Sequence, residues 1–315
     1  MSRRRRSRRR GGFREIDGIV VVDKPAGPTS FGVVKALREA LRVGKAGHTG
    51  TLDPFATGVL PICVGQATKV AQLLLADDKR YAATAQLGVS TDSYDITGAV
   101  TAEADASAIT REQVEAALEA FRGEILQSPP AYSALRKDGK RAHALARAGE
   151  AVELEPRRVT ITRLEITGFE PGARAELRFE VDCSKGTYIR SLAHDLGVAL
   201  GCGAALSALR RVAAGTFGIE QSVALSEIQA NPEVVPLITI DEALAHLPSV
   251  DIEPQQAERL AQGQPLAVGD ASLPAGVPLR VHSHGELVAL GERKGDRIWP
   301  KRMLWSPPTP AADLR

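Results

Sequence analysis

The densest concentration of chemistry in the chain lies in Gly47-His48-Thr49-Gly50-Thr51-Leu52-Asp53-Pro54, continuing Phe55-Ala56-Thr57-Gly58. Glycine lets the backbone take positive φ and approach a ligand closely. Pro54 biases Asp53 toward an extended conformation, which holds its carboxylate off any helix. A histidine and a carboxylate on one tight glycine loop can line a site for proton transfer or nucleophilic attack. The same residues also make an ordinary Asp-Pro turn, since Asp and Gly are common turn formers. No second cluster of His, Cys or carboxylates accompanies the loop, so a metal site is not expected.

The elements that must position this loop are legible around it. Gly18 to Asp23 reads as a buried strand that runs into a turn at Lys24-Pro25-Ala26-Gly27-Pro28, and Ser30 is expected to cap a helix over 31–41. A helix is expected over 67–76 and a strand over 81–87. Thr110 to Gln113 has the form of a capping box, opening an acidic helix that stops at Gly123. Residues 127–150 carry two prolines and then many basic residues, a long excursion from the core. Strands resume over 159–169 and 175–183, the second with Leu177, Phe179, Val181 and Cys183 on one face. Gly186 turns the chain into a helix over 188–200. Prolines 232, 236, 248 and 254 suggest a boundary near residue 248, beyond which 279–282 and 286–290 form a hairpin around His284-Gly285. Strands and helices without regular βαβ alternation indicate an α+β class.

With 315 residues, 43% of them hydrophobic, the chain can bury one large core and a small one. No uninterrupted apolar run is long enough for a membrane span, and no signal peptide is visible. Cys63, Cys183 and Cys202 are odd in number and lack metal spacing, so a cytoplasmic protein is expected. The net charge of +2 conceals an asymmetry: seven arginines fall in the first ten residues. Without them 33 Lys and Arg face 38 Asp and Glu, a net of −5. The body is therefore slightly acidic, and if the chain binds nucleic acid it must do so through local basic patches. Such patches are Arg136, Lys137, Lys140 and Arg141; Arg157 and Arg158; Arg210 and Arg211; and Arg293, Lys294, Arg297, Lys301 and Arg302. The arginine tail, residues 1–12, is expected to be disordered, as an RNA-binding arm or a solvated leader.

The 47–58 stretch resembles the signature of the TruB-type pseudouridine synthases, and the resemblance continues in order along the chain. It takes in Asp23-Lys24-Pro25-x-Gly27, Asp78-Lys79-Arg80-Tyr81, Gly88-x-x-Thr91-Asp92-x-x-Asp95 and Pro130-x-Tyr132-Ser133-Ala134. It then takes in Cys183-Ser184-Lys185-Gly186-Thr187-Tyr188-Ile189-Arg190 and Leu209-Arg210-Arg211. Several ordered motifs are far more specific than one. The chain departs from the family's habits at Arg136, His143 and Ser93, none of them in the proposed catalytic set.

The resemblance implies a pseudouridine synthase fold: a mixed, largely antiparallel sheet flanked by helices, over residues 13–247, with an RNA-binding insertion at about 127–150 and a PUA-like β domain over 248–310. It implies a substrate, the uridine at tRNA position 55 in the T arm, with no metal and no organic cofactor. A monomer is expected separately, the sequence itself carrying no mark of oligomeric state. Asp53 takes the place of the nucleophile, Tyr81 of the uracil-stacking, proton-handling tyrosine, and Arg190 of the carboxylate's partner. His48, Tyr188 and Leu209 match substrate-contacting positions, and Lys24 can support the loop. Two rival expectations accompany it: a guide-RNA-dependent rRNA synthase of the dyskerin type, and a non-catalytic RNA-binding or tRNA-folding protein. The chemistry suits these residue types. Exchanging a C–N glycosidic bond for a C–C bond requires an ionised carboxylate in a dry pocket, and an adjacent guanidinium favours that ionised form. The target base must leave the RNA stack, and His48 can stack within the opened RNA.

Overall fold

The computed structural model describes residues 12–75, 78–133, 136–137, 140–141, 154–269 and 272–305. The arginine run and most of the 127–150 excursion lie outside the described residues, together with the expectations placed on them. In chain order the first elements are β1 (Gly18–Lys24), α1 (Ser30–Leu41), β2 (Ala46–His48), β3 (Thr57–Val64), α2 (Ala71–Leu75), β4 (Lys79–Leu87), β5 (Val89–Thr91), β6 (Val100–Glu103), α3 (Arg111–Leu118) and β7 (Gly123–Gln127). Next come β8 (Arg136–Lys137), β9 (Lys140–Arg141), β10 (Arg157–Glu170), β11 (Glu176–Cys183), α4 (Ile189–Ala199), β12 (Ala204–Ala214), β13 (Phe217–Gly218), β14 (Val223–Ala224), α5 (Leu225–Ala230) and α6 (Ile240–Ala243). The chain closes with β15 (Ser249–Asp251), α7 (Pro254–Ala261), β16 (Leu266–Ala267), β17 (Pro278–Ser283), β18 (Glu286–Lys294) and β19 (Arg297–Met303).

One large sheet runs in the order β14-β1-β3-β12-β4-β11-β10-β7, with β2 on β3 and β13 on β12. Its pairs are antiparallel except β1 with β14 and β3 with β12. The last strands form a second sheet, β15-β17-β18-β19-β16. This is the α+β arrangement expected, a mixed and largely antiparallel sheet flanked by helices with a small β unit after it.

β1 is apolar without alternation because both of its faces are covered. Val20 and Val22 join the main core with Val33, Leu37 and Leu41 of α1, while Ile19 and Val21 join a second core with Phe217 and Leu244. The 33, 37, 41 spacing is one helix face, and each fully buried aliphatic side chain there contributes about 1.5–3 kcal/mol. Leu177, Phe179, Val181 and Cys183 of β11 are all buried, as their alternation implies. Thr110 and Gln113 form the capping box of α3. His284 and Gly285, at φ of 52° and 77°, turn the expected hairpin between β17 and β18.

Two local expectations change. The cap of α1 is Thr29, whose hydroxyl accepts from the Gly32 amide at 3.0 Å, and Ser30 is left free for another task. The single helix expected over 67–76 is a 3-10 turn, Gly65–Lys69, followed by the short α2, with residue 76 outside the described set.

Candidate active site

The 47–58 loop leaves β2, crosses the end of the large sheet and enters β3, where β3 and β12 run parallel. Gly58 and Arg211 are partners in that pairing. Gly58 has φ of 100°, and a Cβ there would stand 2.2 Å from the Arg211 carbonyl oxygen, so only glycine fits.

Three buried side chains grip the loop's backbone. Lys24, fully buried, donates from Nζ to the carbonyls of Pro25 (2.9 Å), Pro54 (3.1 Å) and Ala56 (2.8 Å). Burial pushes the Lys24 ammonium down to about 8, with Asp53 pulling it back up. Three carbonyls around Nζ match the three donors of the charged form. Ser30 Oγ donates to the Leu52 carbonyl (2.9 Å) and accepts from the Leu52 amide (2.8 Å). Arg211 donates to Val59 O (2.7 Å) from Nε and to Gly50 O (3.2 Å) from Nη2. A short turn closes within the loop from the Ala56 amide to the Asp53 carbonyl at 3.1 Å.

The loop so held presents Asp53 to Arg190. Arg190 Nε stands 2.8 Å from Asp53 Oδ2, and Nη2 donates to Asp53 Oδ1 at 3.1 Å. The Arg190 side chain is 4% exposed and that of Asp53 31% exposed, so the guanidinium is the fixed member and the carboxylate faces an opening. Arg190 also donates to the carbonyls of Ser93 (2.8 Å) and Tyr132 (2.9 Å), and its Nη1 lies 3.5 Å from Asp95 Oδ2. Burial pushes the Asp53 carboxyl above its ordinary range. Arg190 draws it down and buried Asp95 pushes it further up. The sequence reading anticipated the pull of Arg190, but not the larger desolvation that opposes it.

Asp53 and Arg190 line a cavity of about 500 Å³ together with Tyr81, Tyr188, Leu209 and Arg211. That volume suits a small ligand or one flipped base. Tyr81, on β4, is 8% exposed and pairs across the sheet with Arg211. Burial raises its hydroxyl above the usual range while the nearby positive charge of Arg211 opposes the shift, so the phenol is protonated at neutral pH. Tyr188 precedes α4. Its amide donates to Gln127 Oε1 (2.7 Å) and its carbonyl accepts from Gln127 Nε2 (3.0 Å), so one glutamine fixes the start of the helix that carries Arg190. Leu209 adds an apolar surface on β12. His48 is outside the cavity lining. Its Nδ1 accepts from the Gly50 amide at 3.3 Å, and burial followed by the nearby Arg211 lowers its basicity, so the ring is neutral at pH 7. Exposed Arg157, Arg158 and Lys185 stand at the cavity's edge.

The description "TruB family pseudouridylate synthase (N terminal domain)" fits residues 38–189, "tRNA pseudouridylate synthase B C-terminal domain" fits 190–237, and "Pseudouridine synthase II TruB, C-terminal" fits 248–304. The tRNA pseudouridine synthase B of Azoarcus sp. (strain BH72) is 45% identical over 92% of this chain and 96% of that protein. The chain belongs to the TruB family. It is a tRNA pseudouridine synthase, an isomerase of uridine in tRNA. Another TruB, from Stutzerimonas stutzeri (strain A1501), is 46% identical over 93% of this chain and 97% of its own. Among solved structures, a Cbf5-Nop10-Gar1 complex matches with a TM-score of 0.69 at 30% identity, covering 91% of this chain and 85% of that one. An H/ACA RNP bound to a substrate RNA containing 2′-deoxyuridine matches at 0.68 and 28%, covering 92% and 85%.

The structure brings Asp53, Tyr81, Tyr188, Arg190 and Leu209 of this TruB chain into one cavity, with Lys24 behind the loop and His48 beside it. One expectation about the basic clusters changes. Arg211 is 1% exposed and serves the loop, so it cannot be a surface contact for RNA. Arg210 forms a two-nitrogen pair with Asp23, at 2.8 and 3.1 Å. In the last cluster Lys294 and Lys301 both pair with Glu292, at 3.5 and 2.6 Å. Ser30, Asp95 and Gln127 were missed as site residues. Asp95 stood inside a recognised motif, whereas a serine at a helix start and a lone glutamine carry no signal for long-range contacts.

Proposed function

We propose that this TruB enzyme acts on the uridine at position 55, in the T-loop of tRNA, with Asp53 as the nucleophile on a base flipped out of the RNA stack. The observation that carries the reading is the Asp53–Arg190 pair, whose carboxylate faces a cavity walled by Tyr81 and Leu209. An isomerisation balances without any other reactant: the N1–C1′ bond breaks, the C5–C1′ bond forms, C5 gives up a proton and N1 gains one. Asp53 attacks uracil C6 or ribose C1′, or assists elimination to a glycal, and Arg190 favours its ionised form, opposing the larger upward pull of burial. Because the Tyr81 phenol holds its proton at neutral pH, Asp53 is the stronger base for the C5 proton, and Tyr81 offers a flat wall and a hydroxyl. Arg157 and Lys185 at the cavity's edge suit the phosphates beside the flipped nucleotide.

The test is to incubate purified protein with an unmodified tRNA transcript and with a bare T-arm hairpin, and to map pseudouridine by carbodiimide-dependent primer extension. Modification of both at position 55 is expected. Product at another uridine, or a requirement for added guide RNA, would overturn the reading, the second outcome in favour of a guide-dependent enzyme.

A further inference from the structure

Arg190 can orient Asp53 only as well as Arg190 is itself oriented. Besides Asp53, part of its grip falls on one short loop: Nη1 donates to the Ser93 carbonyl at 2.8 Å and lies 3.5 Å from the Asp95 carboxylate. Between those two residues stands Tyr94, at φ of 64°, in the left-handed region that a tyrosine enters only at an energetic cost. Something must hold it there.

Two kinds of contact do. The backbone is tied to β12, with the Leu206 amide donating to the Tyr94 carbonyl and the Ile96 amide to the Leu206 carbonyl, both at 3.0 Å. The side chain lies flat on His194, with ring centroids 3.8 Å apart and planes 11° from parallel. His194 belongs to α4, four residues after Arg190 and therefore one turn along the same face. The helix that carries Arg190 thus holds the loop at two points, through the guanidinium on Ser93 and Asp95 and through the imidazole on Tyr94. His194 Nδ1 is buried with no hydrogen-bond partner among the described residues. Burial also lowers the basicity of His194, so the ring against Tyr94 is neutral at pH 7.

We infer that Tyr94 and His194 are positioning residues for catalysis: their stack fixes the 93–95 loop against α4 and so sets the direction in which Arg190 presents its guanidinium to Asp53. The inference rests on the reading of Asp53 as the nucleophile. Neither ring lines the cavity, so the expected effect is on turnover and not on tRNA affinity.

The experiment measures single-turnover rate at saturating tRNA, tRNA affinity and thermal melting for His194→Ala, His194→Phe, Tyr94→Ala, Tyr94→Phe and Tyr94→Gly. Both alanine variants are expected to fold, to bind tRNA within about twofold of wild type and to turn over about tenfold more slowly, since a small misplacement of a catalytic group is costly in rate. The phenylalanine variants keep a flat ring and are expected to recover most of the rate. Tyr94→Gly relieves the positive φ but has no ring, and is expected to be as slow as alanine. Wild-type turnover in His194→Ala, a defect confined to affinity, phenylalanine variants as slow as alanine, or full activity in Tyr94→Gly would each overturn the inference. Asp53→Asn, run in parallel, separates the two readings: activity there removes the nucleophile assignment, whereas an inactive Asp53→Asn beside a fully active His194→Ala removes only the role of the stack.

Discussion

Arg190 meets Asp53 with two of its nitrogens, at 2.8 and 3.1 Å, across a sequence separation of 137 residues. The arginine is buried and the carboxylate faces the cavity, so the pair is a fixed cation with an addressable anion. Its consequence for chemistry is direct: the group proposed to attack is the one left accessible.

Asp53→Asn is expected to abolish turnover while tRNA affinity stays within about tenfold, because the amide keeps the shape and loses nucleophilicity. Single-turnover assays and filter binding on the same preparation check this. Turnover at the wild-type rate would remove Asp53 from the mechanism.

The pH dependence follows from the upward shift of Asp53, caused first by burial. The reaction needs the carboxylate, so rate is lost as pH falls through a value above the ordinary Asp pKa of about 3.9. The sign for stability is the reverse. A raised folded-state pKa contributes stability fully present below the unfolded value and lost as pH rises through the folded one. Across that window the stability of wild type relative to Asp53→Asn should decline with rising pH, as urea titrations would show. An acid limb at or below the ordinary value contradicts both statements.

Tyr81→Phe keeps the ring that faces the cavity and loses the hydroxyl near Arg211. Binding should survive and product formation should fall. A fully active phenylalanine variant would mean that the hydroxyl has no essential part in product formation.

Arg211→Met separates a loop anchor from an RNA contact. It leaves the Gly50 and Val59 carbonyls without their buried donor. The expected cost is about 2–4 kcal/mol in stability, with reduced turnover. A surface cation would give the opposite pattern, an unchanged melting temperature and weaker tRNA binding.

Deleting residues 1–12 removes seven arginines and none of the candidate site residues. If the tail is an RNA arm, low-salt affinity should weaken and the salt slope flatten, by about 0.9 for each duplex phosphate that is no longer neutralised and less on single strands. Turnover at saturating tRNA should not change. Equal affinity for full-length and truncated protein would leave RNA binding to the folded body.

The parts of the fold legible from sequence were those with local causes. The continuous apolar run of β1, the alternation of β11, the capping box of α3 and the His284-Gly285 turn each follow from neighbours a few residues apart. Ser30 shows the limit. A serine at a helix start reads as a cap, yet Thr29 takes that place and Ser30 bonds to both backbone groups of Leu52, 22 residues away. Arg211 shows it again. Beside Arg210 it reads as half of a basic patch. Once 204–214 is known to be a strand, the period of two puts Arg211 on the face of Leu209 and turns Arg210 the other way.

The types of the reacting groups, their order and the glycines that let the loop bend are properties of the chain, because they depend on covalent identity and local backbone freedom. Where those groups meet, and in which electrostatic surroundings, was decided by the tertiary structure. Pairing of β3 with β12 brings Arg211 to the loop, and packing of α4 against the 93–95 loop brings Arg190 to Asp53. The balance that sets Asp53's acidity also exists only in the folded protein: desolvation, two cations and a second carboxylate act together there. Each of these terms depends on distance and dielectric, which linear order does not contain.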